Sequence, residues 1–255
     1  MTAVAAQKLV VTRGGATLLK GLSLSLGATG SVALIGPNGA GKTTLLKVLA
    51  GLEAPQSGAV QVGGQALASL SNAARARTIG FLPQHFEPHW DLAVRDLVRL
   101  GAERGGRPSG DHTSGDAVEQ ALVRYELRAL ERRRWSTLSG GESARVLLAM
   151  VLVADPPVLL ADEPAAALDI RHRLDVVQAL AARGRDRLSV VVVHDLDLAF
   201  RFFDRVVVLV DGQVAADGSA AELLDDRRLD AAFGVRFERI RTAGGFILQA
   251  STTTA

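Results

Sequence analysis

The sequence predicts an α/β fold built on a mostly parallel sheet, and three observations predict it. Short apolar runs at residues 31–35, 158–161, 189–193 and 206–210 alternate with helical patterns, as strands covered on both faces do. Gly36-Pro37-Asn38-Gly39-Ala40-Gly41-Lys42-Thr43 fits G-x-x-x-x-G-K-[ST] at every defined position, between a strand and a helix. From about residue 85 to 137 strand signals vanish, which predicts a helical insertion into the α/β frame.

Taken in order, residues 9–11 and 22–26 read as early strands, the second cleanly alternating. Arg13-Gly14-Gly15 turns the chain between them. The strand at 31–35 leads into the glycine loop. Residues 44–50 carry apolar side chains at helical spacing, and Gly51 stops them. Pro55-Gln56-Ser57-Gly58 turns into a strand at 59–62, which Gly63-Gly64 ends. Residues 79–82 form a short strand stopped by Pro83. Residues 94–100 and 117–130 read as helices, with a polar loop over 104–115 between them. Further helices are expected over 143–154 and 170–183. Asp211-Gly212 turns into a strand at 213–215, and a last apolar strand follows Phe233-Gly234-Val235. The expected organisation is one domain over 1–241 with the helical insertion at about 85–155. A C-terminal strand and a frayed polar tail then follow over 242–255.

Composition narrows the function classes. The chain has 255 residues and no Cys, so disulfides and thiolate metal sites are excluded, and a reducing cytosol suits it. A net charge of +2 implies no bulk field for nucleic acid. The start lacks a basic segment followed by an apolar stretch, so no signal peptide is expected. No apolar run reaches the ~18–20 residues of a membrane-spanning helix. Work at a membrane would need another subunit to hold the chain there.

The glycine loop aims backbone N–H groups at the positive end of a helix dipole, where a phosphate chain can sit. Lys42 reaches the terminal phosphates, Thr43 offers a hydroxyl to Mg²⁺, and Thr44 follows in the same turn. Asp162 and Glu163 end the strand at 158–161, at the sheet edge where ligands bind. Asp162 suits the water shell of Mg²⁺. Glu163 suits the orientation and deprotonation of a water. Leu138-Ser139-Gly140-Gly141-Glu142 opens a helix with a hydroxyl and glycine amides, a second anion-facing start. Ser139 and Glu142 also have the spacing of a capping box, and both readings can hold. His194 follows a strand and precedes Asp195. The other histidines, His85, His89, His112 and His172, show no metal-ligand spacing and read as surface or packing residues.

The glycine loop, Gln84, the stretch 138–142, Asp162-Glu163 and His194 occur in the order of the ATP-binding cassette ATPases, which the chain resembles over nearly its whole length. The resemblance implies a P-loop NTPase fold with an N-terminal antiparallel β subdomain and a helical subdomain. It implies ATP and Mg²⁺ as cofactors, with Thr43, Gln84 and Asp162 serving the metal. It implies a head-to-tail homodimer around two ATP molecules, in which Ser139 and Gly141 touch the γ-phosphate bound by the other copy. Gln84 senses Mg²⁺ and the attacking water, His194 contacts the γ-phosphate, and Asp169 belongs to a loop that crosses the dimer interface. Arg13 stands where relatives stack an aromatic ring on adenine; a guanidinium plane can also stack on a base. Ala165 and Ala166 replace common hydroxyl residues after Pro164.

The stretch from Leu82-Pro83-Gln84 to Gly101 is similar to importers of iron–siderophore complexes, haem and cobalamin, as is Ala167-Leu168-Asp169-Ile170-Arg171-His172. The resemblance implies integral membrane permease subunits as partners, an extracytoplasmic substrate-binding protein indirectly, and a peripheral place on the cytoplasmic face. Phe86, Trp90 and Leu92 are expected to line the permease groove. Zinc or manganese importers, exporters and soluble cassette ATPases are the alternatives.

Overall fold

The computed structural model describes residues 3–104, 112–242 and 245–251. Its contacts divide the chain into two compact units, Met1–Ser69 with Val177–Ala255, and Leu70–Val176.

The first unit opens with β1 (Val4–Arg13) and β2 (Ala16–Leu26), an antiparallel pair running from Val4 opposite Leu26 to Arg13 opposite Ala16. Both strands are longer than their apolar runs: the ladders carry β1 through Gln7 and β2 through Lys20, while Lys8 sits at a bulge with φ 48° and donates its N–H to the Ser23 hydroxyl at 3.0 Å. β3 (Gly30–Ile35) is buried along almost its whole length and feeds the glycine loop. α1 (Lys42–Leu49) starts two residues earlier than its apolar pattern predicts. β4 (Ser57–Val62) pairs antiparallel with β1, and the two-residue β5 (Gln65–Ala66) closes this sheet.

The second unit begins with α2 (Asn72–Thr78), a helix that the sequence pattern did not signal because it buries no residue. β6 (Ile79–Leu82) follows. α3 (Val94–Arg104) extends beyond the expected 94–100, and α4 (His112–Arg124) starts ahead of the expected 117. Of the polar loop expected over 104–115, Arg104 and residues 112–115 fall in helices, and residues 105–111 lie outside the described residues. α5 (Gly140–Leu152) begins at the first glycine of the 138–142 stretch rather than at Ser143. β7 (Val158–Asp162) pairs parallel with β6, and α6 (Ile170–Ala182) follows. Val94, Leu97, Val98, Val118, Leu122 and Val146 form the core shared by α3, α4 and α5. α3 and α5 approach so closely that a Cβ on Gly101 would lie 1.9 Å from the Met150 carbonyl oxygen.

Back in the first unit, β8 (Leu188–Val192) is buried throughout. α7 (Leu196–Phe202), β9 (Arg205–Val210) and β10 (Gln213–Ser219) follow. β3 lies between β8 and β9, parallel to both, and β10 pairs antiparallel with β9. The expected parallel sheet is thus present, with an antiparallel edge strand. α8 (Ala220–Leu224) and α9 (Arg228–Phe233) are short, and each was hidden by its length. β11 (Arg236–Thr242) and β12 (Gly245–Ser251) form a hairpin, Arg236 opposite Ser251. The expectation was one last strand, with a boundary at 241/242; the hairpin pairs the residues on either side of that boundary. The tail at 252–255 lies outside the described residues.

Candidate functional site

The glycine loop joins β3 to α1. Gly36 is buried with φ 146°, and a Cβ there would lie 2.0 Å from the Leu209 carbonyl oxygen. Only glycine fits. Gly41, the residue before α1, has φ 98° and supplies no side-chain cap to the helix, and the first turn holds no acidic residue. The first N–H groups of a helix need an acceptor from somewhere. Here the chain's own capping side chain is missing, so the end suits an anion. Lys42 is buried and folds its ammonium back onto the loop, donating to the carbonyls of Gly36 at 2.7 Å and Pro37 at 2.9 Å. The turn between β9 and β10 braces the loop, with the Gly212 N–H donating to the Ala40 carbonyl at 3.1 Å. Asn38 and Gly39 are exposed at the tip, Thr43 is half-buried and Thr44 buried.

Two other expected residues belong to the first unit. Arg13 ends β1 and grips Glu53, its Nη2 2.7 Å from both carboxylate oxygens. That grip uses the edge of the guanidinium; a planar group held by its edge keeps its faces for stacking. Glu53 is a residue that sequence reading missed, since nothing local links positions forty apart. His194 follows β8 and is exposed. It is not the helix cap: Asp195 caps α7 by accepting the Leu198 N–H at 3.2 Å.

The second unit holds the carboxylates. Asp162 is buried at the end of β7. Glu163 follows with φ 51°, a left-handed conformation that a residue with a Cβ adopts at a cost of roughly 1–2 kcal/mol. Strain of this kind collects at functional positions. Gln84, exposed just after β6, donates from Nε2 to Glu163 Oε2 at 2.8 Å. The structure therefore brings together two expected residues that lie far apart in sequence.

In the 138–142 stretch Ser139 is the N-cap of α5, and a complete capping box is present. The Ser139 hydroxyl oxygen accepts the Glu142 N–H at 3.3 Å, and Glu142 Oε2 accepts the Ser139 N–H at 2.7 Å. The Ser139 backbone N–H, together with its hydroxyl and the nearby guanidinium of Arg133, holds the Glu142 carboxyl below the usual carboxylate range. Ser139 and Gly140 remain exposed, and Leu138 packs on the core of the helical block. A cavity of about 350 Å³ in this unit is lined by Gln84, Phe86, Trp135, Ser143, Leu147 and Glu163, among others. Phe86 and Trp135 meet edge to face at 5.4 Å. Of the three residues expected to line a groove, Phe86 is in the lining of this cavity. Trp90 is 70% exposed elsewhere, and Leu92 packs against the helical core.

Asp169 lies just ahead of α6. Its carboxylate accepts the His172 N–H at 3.0 Å and meets His172 Nδ1 at 2.7 Å. The His172 N–H is the main reason that the Asp169 carboxyl stands below its ordinary range. His172, read from sequence as a surface or packing residue, is thus bound to an expected functional one. The spacing of an acidic residue three positions before His172 at a helix start, that of an N-cap, was the available signal.

Residues 19–166 match the family model described as ABC transporter. The chain is 42% identical over 226 residues to the hemin import ATP-binding protein HmuV of Nocardia farcinica, covering 86% of this chain and 78% of that protein. It is 39% identical over 229 residues to the cobalamin import ATP-binding protein BtuD of Halobacterium salinarum, covering 89% of this chain and 57% of that protein. The chain thus spans little more than half the length of the halobacterial relative. Among solved structures, the dimeric ATP-binding cassette MJ0796 bound to ADP and Pi superposes with a TM-score of 0.77 at 28% identity, covering 85% of this chain and 98% of that one.

Proposed function

The chain belongs to the ABC transporter family as one of its ATPase cassettes, and from that premise we propose that it powers uptake of a metal chelate of the haem, cobalamin or iron–siderophore class through a separate membrane permease. The observation that carries the nucleotide chemistry is the bare start of α1, with no capping side chain and no acidic residue, beside the buried ammonium of Lys42. ATP enters with its phosphates on the loop amides; Lys42 leaves the Gly36 and Pro37 carbonyls for the terminal phosphates. Thr43, Gln84 and Asp162 supply oxygen donors of the kind that Mg²⁺ takes. Held there, Mg²⁺ would supply charge neutralisation to the phosphates. Glu163 accepts the proton of the attacking water, and Gln84, already hydrogen-bonded to Glu163, holds the carboxylate in place. His194 contacts the γ-phosphate.

Two copies pair head to tail, Ser139 and Gly141 of each meeting the γ-phosphate held by the other, and Asp169 lies on the loop between them. The relatives named for hemin and cobalamin import support the chelate class. The cavity at Phe86 and Trp135 is the proposed seat of a short permease segment. Attachment through the permease puts the chain on the cytoplasmic face of the membrane, with an extracytoplasmic binding protein delivering the chelate to the permease.

The deciding experiment reconstitutes the chain with its permease in liposomes and follows ATP hydrolysis and uptake with hemin, cobalamin and a ferric siderophore. Stimulation by one chelate supports the reading; extrusion of the chelate, or stimulation by free zinc or manganese alone, overturns it. Glu163→Gln should slow hydrolysis by on the order of 10²–10⁴ while leaving ATP bound, since the loop and Lys42 are intact. Size-exclusion chromatography with ATP and Mg²⁺ should then show a dimer for E163Q and mostly monomer for the native chain. Adding Ser139→Arg should abolish that dimer.

A further inference from the structure

Four side chains of the second unit, an arginine, a histidine and two carboxylates, form a continuous chain across three elements. Arg145, on α5, donates from Nη1 to Glu126 Oε2 at 3.2 Å. His172, on α6, brings Nε2 to 3.8 Å from the same Glu126 oxygen. The other nitrogen of His172, Nδ1, is 2.7 Å from Asp169 Oδ2. Glu126 lies just past α4 and is held at φ 56°, a conformation that residues with a Cβ adopt at a cost and only when their surroundings determine it. The imidazole therefore faces a carboxylate on each side: Nδ1 is within hydrogen-bond reach of Asp169, and the 3.8 Å at Nε2 is an ion-pair distance that attracts Glu126 only when the ring is protonated.

We propose that His172 is a positioning residue that ties the Asp169 loop to the turn after α4, and through Glu126 and Arg145 to the helix that begins at Ser139. The proposal rests on the dimer reading above, in which the Asp169 loop and Ser139 both face the other copy. Their tie makes the two faces one piece: a shift of the helical block carries the Asp169 loop with it. The pairs are solvent-touched, with Glu126 and Asp169 side chains 65% and 66% exposed, so they add little to global stability. Their consequence is the placing of one loop relative to one helix, where small displacements matter to a reaction that needs its groups aligned. No residue of this chain other than His172 touches both carboxylates among the described pairs.

The test separates the tie from the dimer. Amide exchange over residues 165–173 is measured on the full chain for the native protein, His172→Ala, His172→Asn and Glu126→Ala. Asn keeps a donor near the place of Nδ1 and has nothing at the place of Nε2. Exchange in the 165–173 segment should speed up about five-fold in both H172A and E126A, the low end expected of coupled sites. H172N keeps the Asp169 contact and loses the Glu126 one, so exchange should rise as it does in E126A, and adding E126A should then change nothing further, the signature of a pair already broken. Native exchange over 165–173 in E126A overturns the tie, whatever the dimer does. On the E163Q background, H172A should raise the ATP concentration for half-maximal dimer formation while the melting temperature stays put; an unchanged ATP requirement overturns the link to dimer geometry. If E163Q itself stays monomeric with ATP, the dimer reading fails, and the exchange measurements still decide the tie.

Discussion

Two turns of this molecule look alike in sequence and differ in how they are satisfied. The loop at 36–43 and the stretch at 138–142 are both glycine-rich, and both open a helix. The first starts α1 on Gly41, with no capping side chain. The second starts α5 on Ser139, with a capping box closed from both sides. Their glycines differ too. A Cβ on Gly36 would collide with the chain's own backbone, whereas a Cβ on Gly140 or Gly141 would meet only Ala167 and Leu168 atoms at 3.8–3.9 Å, ordinary contact distance. The first turn needs its glycines to fold and leaves its amides for a ligand. The second has room for a Cβ at both glycines, so its own fold does not explain them; the proposed approach of a second copy's nucleotide would. The Ser139 oxygen accepts the Glu142 N–H, and its hydroxyl hydrogen, which supports the Glu142 carboxylate, would have to turn away from it to donate to a phosphate.

Exchanging the glycines for alanine is the sharpest way to break this comparison. Gly36→Ala should cost more than about 4 kcal/mol, through the collision with Leu209 and the unfavourable φ, and should leave little folded protein in a thermal melt. Gly141→Ala should do the reverse: the helix start gains up to about 1 kcal/mol from the better helix former, while ATP hydrolysis falls on the order of 10–100-fold. A G141A chain with native activity would show that nothing approaches that surface closely.

A smaller effect probes the nucleotide side. Arg13→Ala should weaken ATP binding by about 1 kcal/mol, as a partly exposed cation–π contact does, and Arg13→Tyr should restore it. Glu53→Gln should weaken binding less than R13A, because it loosens the guanidinium without removing its face. Titration with a fluorescent nucleotide measures all three. Equal affinity in R13A and native protein rejects the stacking role.

The smallest expected effect concerns the capping box. The folded Glu142 carboxyl stands below its ordinary range, first because of the Ser139 N–H. Its stabilisation is therefore present above the ordinary carboxylate value and is lost as pH falls through the lower folded value. Glu142→Gln keeps the box but not the charge, so the slight advantage of the native chain over E142Q at neutral pH should fade as pH falls from the ordinary carboxylate range through the lower folded value. Paired melts across that range check it; an advantage that persists at low pH would mean that the charge of Glu142 is not what stabilises the turn.

Sequence alone determined the parts whose physics is local. A strand, a glycine loop and a helix follow one another without interruption at 30–49, so one short window holds every residue needed to recognise an anion cradle. Ser139 and Glu142 stand three apart, and a helix start makes that spacing a contact. Buried strands were legible as apolar runs, though their ends were not, because polar residues such as Gln7 and Lys20 extend a ladder by backbone bonds that no side-chain pattern records. Helices α2, α8 and α9 escaped because they are too short to repeat a period. Tertiary structure alone decided the pairings across distance. Gln84 meets Glu163 because β6 and β7 run side by side and end together. Arg13 meets Glu53, 40 positions on, and His172 sits between Asp169 and a glutamate from another helix end. A single side chain's identity states what it can bond; which partner comes within 3 Å depends on how the strands and helices pack, and that packing is a property of the whole chain.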